Sequence, residues 1–461
     1  MKYTISQLAD IIDGDRGKNY PKQNEFFNDG YCLFLNTGNV TTEGFSFESN
    51  QFITKEKDSV LRKGKLQRRD IVYTTRGTVG NAAFYNNNIL YEHVRINSGM
   101  VILRCNADVC DARFLYLILK SNYYRPYFKK YCTGSAQPQL PIKNFSKIEL
   151  DIPNLATQHR IAYILSAYDD LIENNQKQIK LLEEVAQRLY KEWFVDLHFP
   201  GCEDTTIVDG IPNGWKKRRA DSFFEITIGK TPSRAESQWF TNMTNGIPWA
   251  SISDMGKSCV YLNSTEEGLT AEAVKRHNVK IVPQGTVLLS FKLTVGRIAI
   301  ANQDLCTNEA IAHFYIHDQR LREYVYCYLK AFPYDILGST SSISKAVNSK
   351  IIKAMPFIMP NLSLLAKFNE LTCPIFNEIR NKVIQNKLLM EARDRLLPKL
   401  MNGELEATMN KKEPIQADKF EYIRKHWQNI PYNEDLPLAA RRTGDISEET
   451  LEQLKKIAEE E

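Results

Sequence analysis

Long apolar runs are missing from this sequence. No stretch approaches the roughly 18 apolar residues that a membrane-spanning helix needs, and the opening MKYTISQLADIIDGD lacks the apolar core of a signal peptide. Cysteine occurs nine times, an odd number, at irregular spacings without a C-x-x-C pair. This pattern argues against a disulfide framework or a structural zinc site. We therefore expect a reduced, cytoplasmic protein.

Sequence motifs of the common enzyme classes are also missing. GDRGK at 14–18 lacks the spacing and the hydroxyl residue of a G-x-x-x-x-G-K-[ST] phosphate loop. The patterns G-x-G-x-x-G, H-E-x-x-H and G-x-S-x-G do not occur, nor does the Asn-Pro-Pro-aromatic stretch of amino-methyltransferases. The seven histidines are scattered, and we interpret His159 and His198 as surface or packing residues. The sequence thus predicts a protein that binds rather than catalyses, without a metal site.

The composition allows most of the chain to fold. Its 461 residues suit two or three domains, and 43% hydrophobic with 11% aromatic residues can supply their cores. The net charge of +5 is mildly basic, which is compatible with a nucleic-acid partner without demonstrating one. KLQRRD (65–70) and WKKRRAD (215–221) are more basic than the mean, and each can equally be a solvated face.

An internal repeat is the main signal. IKLLEEVAQRLYKEWF (179–194) returns 207 positions later as NKLLMEARDRLLPKLM (386–401). Further matches keep the same order along the chain: TVG at 78–80 and 294–296, Asn97 and Asn308, FLYLILKS at 114–121 and YVYCYLKA at 324–331, and IPNL at 152–155 and MPNL at 359–362. The period of about 210 residues far exceeds that of a solenoid, so it predicts two copies of one domain with its helix.

Each copy carries the same predicted elements. Residues 70–85 and 285–301 are each typical of two strands around a glycine-containing loop. Helical patterns follow at 112–121 and 320–331, and a Pro-Asn-Leu boundary then opens a long helix. The predicted fold class is mixed α/β, with two globular domains that are each followed by a long helix.

Both long helices carry a narrow apolar seam with heptad spacing, interrupted by polar residues such as Asn175, Thr372, Lys382, Asn386 and Arg393. The seam predicts that the helices pair with one another as an antiparallel coiled coil and space two binding domains. The alternative is that each helix packs on its own domain. The seam residues are Ile161, Leu165, Ile172, Ile179, Leu182, Leu189, Ile375, Ile379, Leu389 and Leu396.

Two binding domains on a spacer suit two separated sites on one extended object, for which DNA is the natural candidate. The loop before each TVG carries a basic residue, Arg76 or Lys292, that can reach a phosphate or a base edge, or can simply be a charged hairpin tip. The candidate DNA-binding residues are polar or aromatic loop residues: Arg16, Lys18, Asn36, Thr37, Asn39, Thr75, Arg76 and Gln137 in the first copy, and Lys230, Thr231, Arg234, Trp249, Ser251 and Lys292 in the second.

Several segments together resemble one known family. IPNLATQHRIAYILSAYDDLIENNQKQIKLLEEVAQRLYKEWFVD followed by IPNGW resembles the central conserved region of type I restriction–modification specificity subunits. GKTPSRAESQWFTNMTNGIPWASISDM (229–255) is similar to the start of their second target-recognition domain, and LLPKLMNGELE (396–406) to the end of their distal conserved region. The resemblance covers roughly residues 1–406.

The resemblance implies a domain plan and a set of partners. It implies target-recognition domains at 1–152 and 201–358, conserved helical regions at 153–200 and 359–406, and an extension of unknown role at 407–461. Each recognition domain would read one half of a split double-stranded DNA target. Two modification (methyltransferase) subunits would dock on the helices, and separate restriction/translocase subunits would join them. S-adenosylmethionine, ATP and Mg would bind only to those partners, because this subunit is non-catalytic in the family.

Two other function classes stay open from the residues alone. One is a protein scaffold built on the helical spacer that does not recognise DNA. The other is an enzyme with an unrecognised site, such as a nuclease.

Overall fold

The computed structural model describes residues 1–42, 44–134, 138–208, 210–241, 246–337 and 347–405. The candidate residue Gln137 and the predicted extension at 407–461 lie outside the described residues. The chain divides into two compact units. Unit 1 comprises Met1–Leu171 and the chain from Leu389 onward, and unit 2 comprises Ile172–Leu388. Each unit therefore takes a segment of both long helices, whereas the sequence predicted one helix after each domain.

The helices of the described residues are α1 (Ile5–Leu8), α2 (Lys55–Val60), α3 (Ala112–Lys120), α4 (Arg125–Lys129), α5 (Ile142–Phe145), α6 (Leu155–Tyr190), α7 (Ile252–Lys257), α8 (Ala271–Arg276), α9 (Arg322–Ala331), α10 (Ser349–Ala354) and α11 (Leu362–Met401). A π-helical turn, Lys191–Val195, extends α6.

The strands are β1 (Lys2–Thr4), β2 (Ala9–Asp13), β3 (Cys32–Leu35), β4 (Val40–Thr41), β5 (Gly44–Phe45), β6 (Phe52–Ile53), β7 (Ile71–Thr74), β8 (Ala82–Phe84), β9 (Val94–Ile96), β10 (Met100–Cys105), β11 (Glu149–Asp151), β12 (Ile207–Val208), β13 (Ile211–Pro212), β14 (Lys216–Arg219), β15 (Glu225–Ile228), β16 (Phe240–Thr241), β17 (Ile247–Ala250), β18 (Tyr261–Leu262), β19 (Glu267–Leu269), β20 (Val287–Ser290), β21 (Ile298–Ala301), β22 (Cys306–Thr307), β23 (Ile311–Tyr315) and β24 (Pro356–Met359).

Unit 1 is built on a four-stranded antiparallel sheet in the order β2-β10-β7-β8. A second sheet has the order β6-β3-β9, in which β3 and β9 run parallel. The pair β1-β11 joins the two ends of the globular part. Apolar side chains of both sheets, including Leu35, Val72 and Ile102, form the core of this unit.

Unit 2 repeats this topology. Its main sheet has the order β15-β23-β20-β21, extended by β18. A second sheet contains β19-β17-β22, again with one parallel pair, β17 with β22. The pair β14-β24 takes the place of β1-β11. The duplication and the strand–loop–strand segments predicted from the sequence are thus confirmed.

Both long helices begin at the predicted Pro-Asn-Leu boundary, and the asparagine is the N-cap. The Asn154 side chain accepts a hydrogen bond from the Thr157 amide at 2.9 Å, and Asn361 accepts one from the Leu364 amide at 3.0 Å. An asparagine oxygen satisfies an amide that has no partner within the first helical turn. Proline therefore only precedes the cap in both copies.

Within unit 1, the first part of α6 is buried on more than one face. The seam residues Ile161 and Leu165 are fully buried, and so are Ile164 and Tyr168 beside them. This broad burial matches a helix that packs on its own globular domain. Polar contacts join it to the end of α11, where Arg393 Nη1 lies 2.6 Å from Asp169 Oδ1.

Within unit 2, the apolar stripe of α6 is narrow and its seam residues are buried or half-buried, from Ile172 and Ile179 to Leu182 and Leu189. Asn175, the polar seam position, is buried and donates a hydrogen bond to Asn386 of α11 at 2.9 Å. Further along, the Trp193 and Phe368 rings lie 5.9 Å apart.

The buried residues of α11 differ from the predicted seam by one position at two places. Ile379 and Leu389 are buried as predicted, but Phe376 and Leu397 are buried more deeply than the predicted Ile375 and Leu396 beside them. An α-helix has 3.6 residues per turn and drifts against a strict heptad, so a neighbouring position can take over the buried face.

No helix among the described residues is long and apolar enough to cross a membrane.

Candidate nucleic-acid interface

In unit 1, the turn at residues 97–99 gathers the ends of several strands. The Asn97 side chain accepts a hydrogen bond from the Gly99 amide at 2.9 Å, and the Asn97 amide donates to the Leu35 carbonyl at 3.0 Å. The Gly99 carbonyl accepts from the amides of Thr75 at 2.9 Å and Arg76 at 3.1 Å. The turn therefore holds the loop after β7 against the end of β3.

Gly14 allows the end of β2 to reach the same turn. A Cβ atom at this position would lie 2.3 Å from the Asn97 carbonyl oxygen, which is too close for any other residue. The chain continues into Arg16, whose guanidinium donates to the Ser98 carbonyl at 3.2 Å and to Asp13 at 3.1 Å. Arg16 is thus placed beside the turn.

The loop that contains TVG is closed by Thr74. Its hydroxyl donates to the Thr78 carbonyl and accepts from the Asn81 amide at 2.9 Å. The Thr74 carbonyl accepts from the Gly80 amide at 3.1 Å. These bonds fix the base of the loop and leave its tip, with Arg76, exposed to solvent.

Unit 2 repeats this framework almost bond for bond. The Asn308 side chain accepts from the Ala310 amide at 3.1 Å, and the Asn308 amide donates to the Ala250 carbonyl at 2.9 Å. Gly229 corresponds to Gly14, because a Cβ atom there would lie 2.1 Å from the Asn308 carbonyl oxygen.

The second TVG loop is closed in the same way. The Ser290 hydroxyl donates to the Thr294 carbonyl at 2.6 Å and accepts from the Arg297 amide at 3.1 Å. The Gly296 amide donates to the Ser290 carbonyl at 3.0 Å. Lys292 lies exposed at the position of Arg76. The framework is shared, and the side chains that it presents differ.

Three predicted residues of unit 1 lie together around the turn at 97–99. They are Arg16, Thr37 and Arg76, and a Cβ atom on Gly99 would meet Thr37 Cγ2 at 2.7 Å and Arg76 Cβ at 4.0 Å. Lys18 is exposed two residues beyond Arg16. The Leu140 amide donates to the Thr75 carbonyl at 2.9 Å, so Leu140 lies at the same edge.

In unit 2, an acidic residue meets the predicted cations. The Thr231 hydroxyl donates to Glu309, the residue that follows Asn308. Burial raises the pKa of Glu309, but the bond from Thr231 and the charges of Lys292 and Arg234 outweigh it and hold this pKa below its usual value. Lys230 and Lys292 are exposed around this group.

Arg234 is held by three neighbours. Its guanidinium forms two hydrogen bonds to Glu267, at 2.9 and 2.8 Å. It also lies 4.1 Å from the Phe240 ring centre and 4.8 Å from that of Trp249. An arginine fixed in this way keeps a defined orientation at the surface.

Other predicted residues form the framework instead of the exposed surface. Asn39 is buried, and its amide donates to the carbonyls of Ser46 at 3.0 Å and Ser49 at 2.9 Å. Thr75 is buried, and Trp249 is buried with its indole N–H on the Lys230 carbonyl at 3.2 Å.

Two more of the predicted residues are helix caps. Asn36 caps a short 3-10 helix, Thr37–Asn39, and accepts from the Gly38 amide at 2.8 Å, and Ser251 caps α7. Their side chains are among the DNA contacts that the sequence predicts. Because polar groups near a surface are often used inside the fold, the structure favours a supporting role for these five residues.

Unit 1 also has a basic groove whose lining residues are not among the predicted DNA-binding residues, apart from the basic stretch at 65–70. Lys65 pairs with Asp58 at 2.5 Å, and Arg104 pairs with Asp70 at 2.8 Å. Within the described residues, Arg62 and Lys63 form no ion pair. The groove has a volume of about 400 Å³ and is lined by Ile12, Arg62, Lys63, Gly64, Lys65, Leu66, Gln67 and Arg104. The basic stretch at 65–70 is the sequence signal for it, and half of that stretch lines the groove.

The groove adjoins the turn at 97–99. A Cβ atom on Gly64 would lie 3.2 Å from Gly14 Cα and 3.3 Å from the Ile96 carbonyl oxygen. The Arg62 amide donates to Asp15 at 2.8 Å, next to Arg16. The segment that carries Arg62 and Lys63 thus packs against the segment that leads to Arg16.

The described residues contain no group of three or more His, Cys, Asp or Glu side chains that could hold a metal ion. His313, which is buried in the β23 strand, bonds to the hydroxyls of Thr227 at 2.8 Å and Thr307 at 2.7 Å. Burial lowers the pKa of His313 to about 3, so it is neutral at ordinary pH.

Known proteins are similar to this chain in sequence. A family model described as "Type I restriction modification DNA specificity domain" matches residues 1–184 and 212–364. The HindI specificity subunit of Haemophilus influenzae is 25% identical over 87% of this chain and 100% of its own length. The MjaIX specificity subunit of Methanocaldococcus jannaschii is 27% identical over 73% of this chain and 77% of its own.

Among solved structures, a type I restriction–modification S subunit from M. genitalium aligns with 87% of this chain and 96% of its own, at 16% identity and a TM-score of 0.45. The family model matches both halves of the chain, and its second match contains residues 229–255, one of the segments that carry the resemblance. The chain belongs to the family of type I restriction–modification DNA specificity subunits.

Proposed function

We propose that each unit of this specificity subunit reads one half of a bipartite double-stranded DNA target. The main support for this proposal is the repeated turn-and-loop framework, which presents different side chains in the two units. Arg16 and Arg76 flank the turn of unit 1, which contains Ser98, whereas Thr231, Lys292 and Glu309 hold the corresponding positions in unit 2. Different side chains on one scaffold suit two different half-sites, because base edges are read by the side chains that reach them.

The cations of unit 1 lie at two places, which suit different contacts with DNA. Arg16 and Arg76 lie at the turn, where a base edge or a nearby phosphate is in reach. Arg62 and Lys63 line the adjoining groove, where their charges suit the DNA backbone. Phosphate contacts position a protein on DNA and supply salt-dependent affinity without sequence information.

We also propose that α6 and α11 pair as an antiparallel coiled coil that sets the distance between the half-sites. Within unit 2, Asn175 contacts Asn386, and the Trp193 ring contacts that of Phe368. Residue numbers that rise on one helix and fall on the other support antiparallel pairing. Helices of 36 and 40 residues are about 54 and 60 Å long, a length suited to a spacer.

On this proposal, catalysis belongs to the partners. The subunit docks two modification (methyltransferase) subunits, and restriction/translocase subunits complete the complex. S-adenosylmethionine, ATP and Mg bind to those subunits and not to this chain. The family finding does not support the alternatives of a scaffold without DNA recognition or a nuclease.

A domain exchange tests the proposal. Residues 1–150 are replaced by the equivalent domain of a specificity subunit with a known target, and the chimera is expressed with its modification subunits. Sequencing of methylated sites should show one altered half-site and one unaltered half-site. A chimera that methylates normally but changes both halves together would refute independent reading by the two units.

A further inference from the structure

Leu293 is an unusual residue at the tip of the second TVG loop. Its side chain is 98% exposed, more than that of any other large hydrophobic residue that the structure describes. It lies between Lys292 and Thr294, which are also exposed. A single exposed leucine is common on protein surfaces and needs no explanation by itself. The backbone conformation of Leu293, however, requires an explanation.

Leu293 has a φ of +60°, in the left-handed region that side chains with a Cβ rarely adopt. The Thr294 amide donates to the Lys292 carbonyl at 2.6 Å, which closes a three-residue turn around it. In the unit 1 loop, the corresponding residue is Gly77, with a φ of +71°. Glycine takes this conformation without steric cost, and leucine does not.

The Leu293 side chain does not contribute to the packing of the fold. A side chain that is 98% exposed buries almost no apolar surface, so no packing offsets its backbone strain. Strained residues that persist at a surface tend to mark positions of function. The reason for a leucine at this tip should then lie in a contact made outside the folded chain.

The tip is held on a rigid base. Ser290 closes the loop through Thr294 and Arg297, and the Arg297 guanidinium donates to the Ile252 carbonyl at 2.7 Å. The Phe291 amide donates to the Ala310 carbonyl at 2.9 Å, which ties the loop to the turn at 308–310. Leu293 therefore projects from the surface that carries Lys292.

We propose that Leu293 makes an apolar contact with a base of the DNA half-site that unit 2 reads. The chemical partner is the apolar part of a base, such as the thymine methyl group in the major groove. This inference rests on the proposed DNA-reading function of unit 2. The adjacent Lys292 favours DNA over an apolar protein partner, because its ammonium can reach a phosphate while the leucine reaches a base.

Three variants of the full chain, each bound to its modification subunits, test the contact. Leu293→Asn keeps a residue that tolerates the left-handed conformation but removes the apolar group. Leu293→Met keeps an apolar side chain. Leu90→Asn is the matched control, because Leu90 is 92% exposed and follows β8, at the opposite end of that strand from the first TVG loop. Fluorescence anisotropy measures the ratio of affinities for a target duplex and a duplex without the target.

We expect Leu293→Asn to lower this ratio about tenfold, equivalent to about 1.4 kcal/mol, while Leu293→Met and Leu90→Asn stay within about twofold of the wild type. The thermal melting temperature of Leu293→Asn should be unchanged or higher, because asparagine relieves backbone strain. Deoxyuridine placed at each thymine of the half-site locates the contact: one position should weaken wild-type binding and leave Leu293→Asn unaffected.

The outcomes separate the inference from the function on which it depends. A wild-type complex without preference for the target duplex would overturn the proposed function itself. A wild-type preference that Leu293→Asn retains in full would overturn only the base contact. Loss of modification-subunit binding in Leu293→Asn, with DNA preference intact in the complex that remains, would assign the leucine to a protein partner and likewise refute the proposal.

Discussion

Replacement of Arg393 by methionine should destabilise unit 1 by about 3 kcal/mol. The Arg393 side chain is 6% exposed, and its guanidinium lies 2.6 Å from Asp169 and 3.0 Å from Asp394. Lys120 completes the group at 3.4 Å from Asp169. Together the four charged side chains connect α3, α6 and α11 within the unit. Removal of Arg393 leaves the two carboxylates with only one cation, Lys120, to compensate their charge.

The magnitude follows from opposing terms. At an effective dielectric constant of about 20, charges 2.6 Å apart attract by roughly 6 kcal/mol. The variant regains the cost of burying a guanidinium, and Lys120 still balances Asp169, so the net loss is about half of that attraction. A loss of about 3 kcal/mol lowers the melting temperature of a unit of this size by roughly 6–12 °C.

The assay is urea unfolding, followed by circular dichroism at pH 7 and again near pH 3. Burial raises the pKa of Asp169, but Lys120 and Arg393 outweigh it and keep this pKa below its usual value. The stabilisation is therefore present at neutral pH and is lost as the pH falls through the pKa of the folded state. The difference between wild type and Arg393→Met should shrink in acid.

Arg395→Met is the matched control, because Arg395 is an exposed residue two positions along the same helix. We expect it to change the free energy of unfolding by less than about 0.5 kcal/mol. Equal losses in the two variants at pH 7 would refute the reasoning, since they would show that the buried network contributes no more than a surface charge.

Three further predictions concern the reading loops and the spacer. Arg76→Ala and Lys292→Ala should each weaken DNA binding: a lost phosphate contact lowers the salt slope by about one unit, and a lost base contact relaxes one half-site in methylated-site sequencing, whereas unchanged values in both would exclude these loops. One heptad inserted after Gln176 should lengthen the methylated spacer by about three base pairs; an active variant with an unaltered spacer would show that another feature sets it. Asn175→Leu should cost about 1–3 kcal/mol in urea unfolding by leaving the buried side-chain carbonyl oxygen of Asn386 without its donor, and adding Asn386→Leu should restore stability; an unrestored double variant would contradict this reason.

Much of the architecture could be predicted because it depends on local sequence patterns. The duplicated helical lines, the Pro-Asn-Leu boundaries and the strand–loop–strand segments each depend on residues close in the chain. Heptad spacing identified the seam of α6. On α11 the predicted seam is wrong by one position at Phe376 and at Leu397, because the drift of an α-helix against a strict heptad decides which of two neighbouring residues is buried.

The sequence by itself determined that two similar domains carry matching loops with a basic residue before each TVG. Only the tertiary structure decided which polar residues face solvent. Asn39 is buried inside the loop that carries Ser46 and Ser49, and Trp249 is buried where β17 pairs with β22, whereas Arg76 and Lys292 remain exposed. The left-handed tip at Leu293 depends on hydrogen bonds that close only when the strands pair. Exposure and backbone strain are properties of the whole packed fold, so no local pattern of residue types could reveal them.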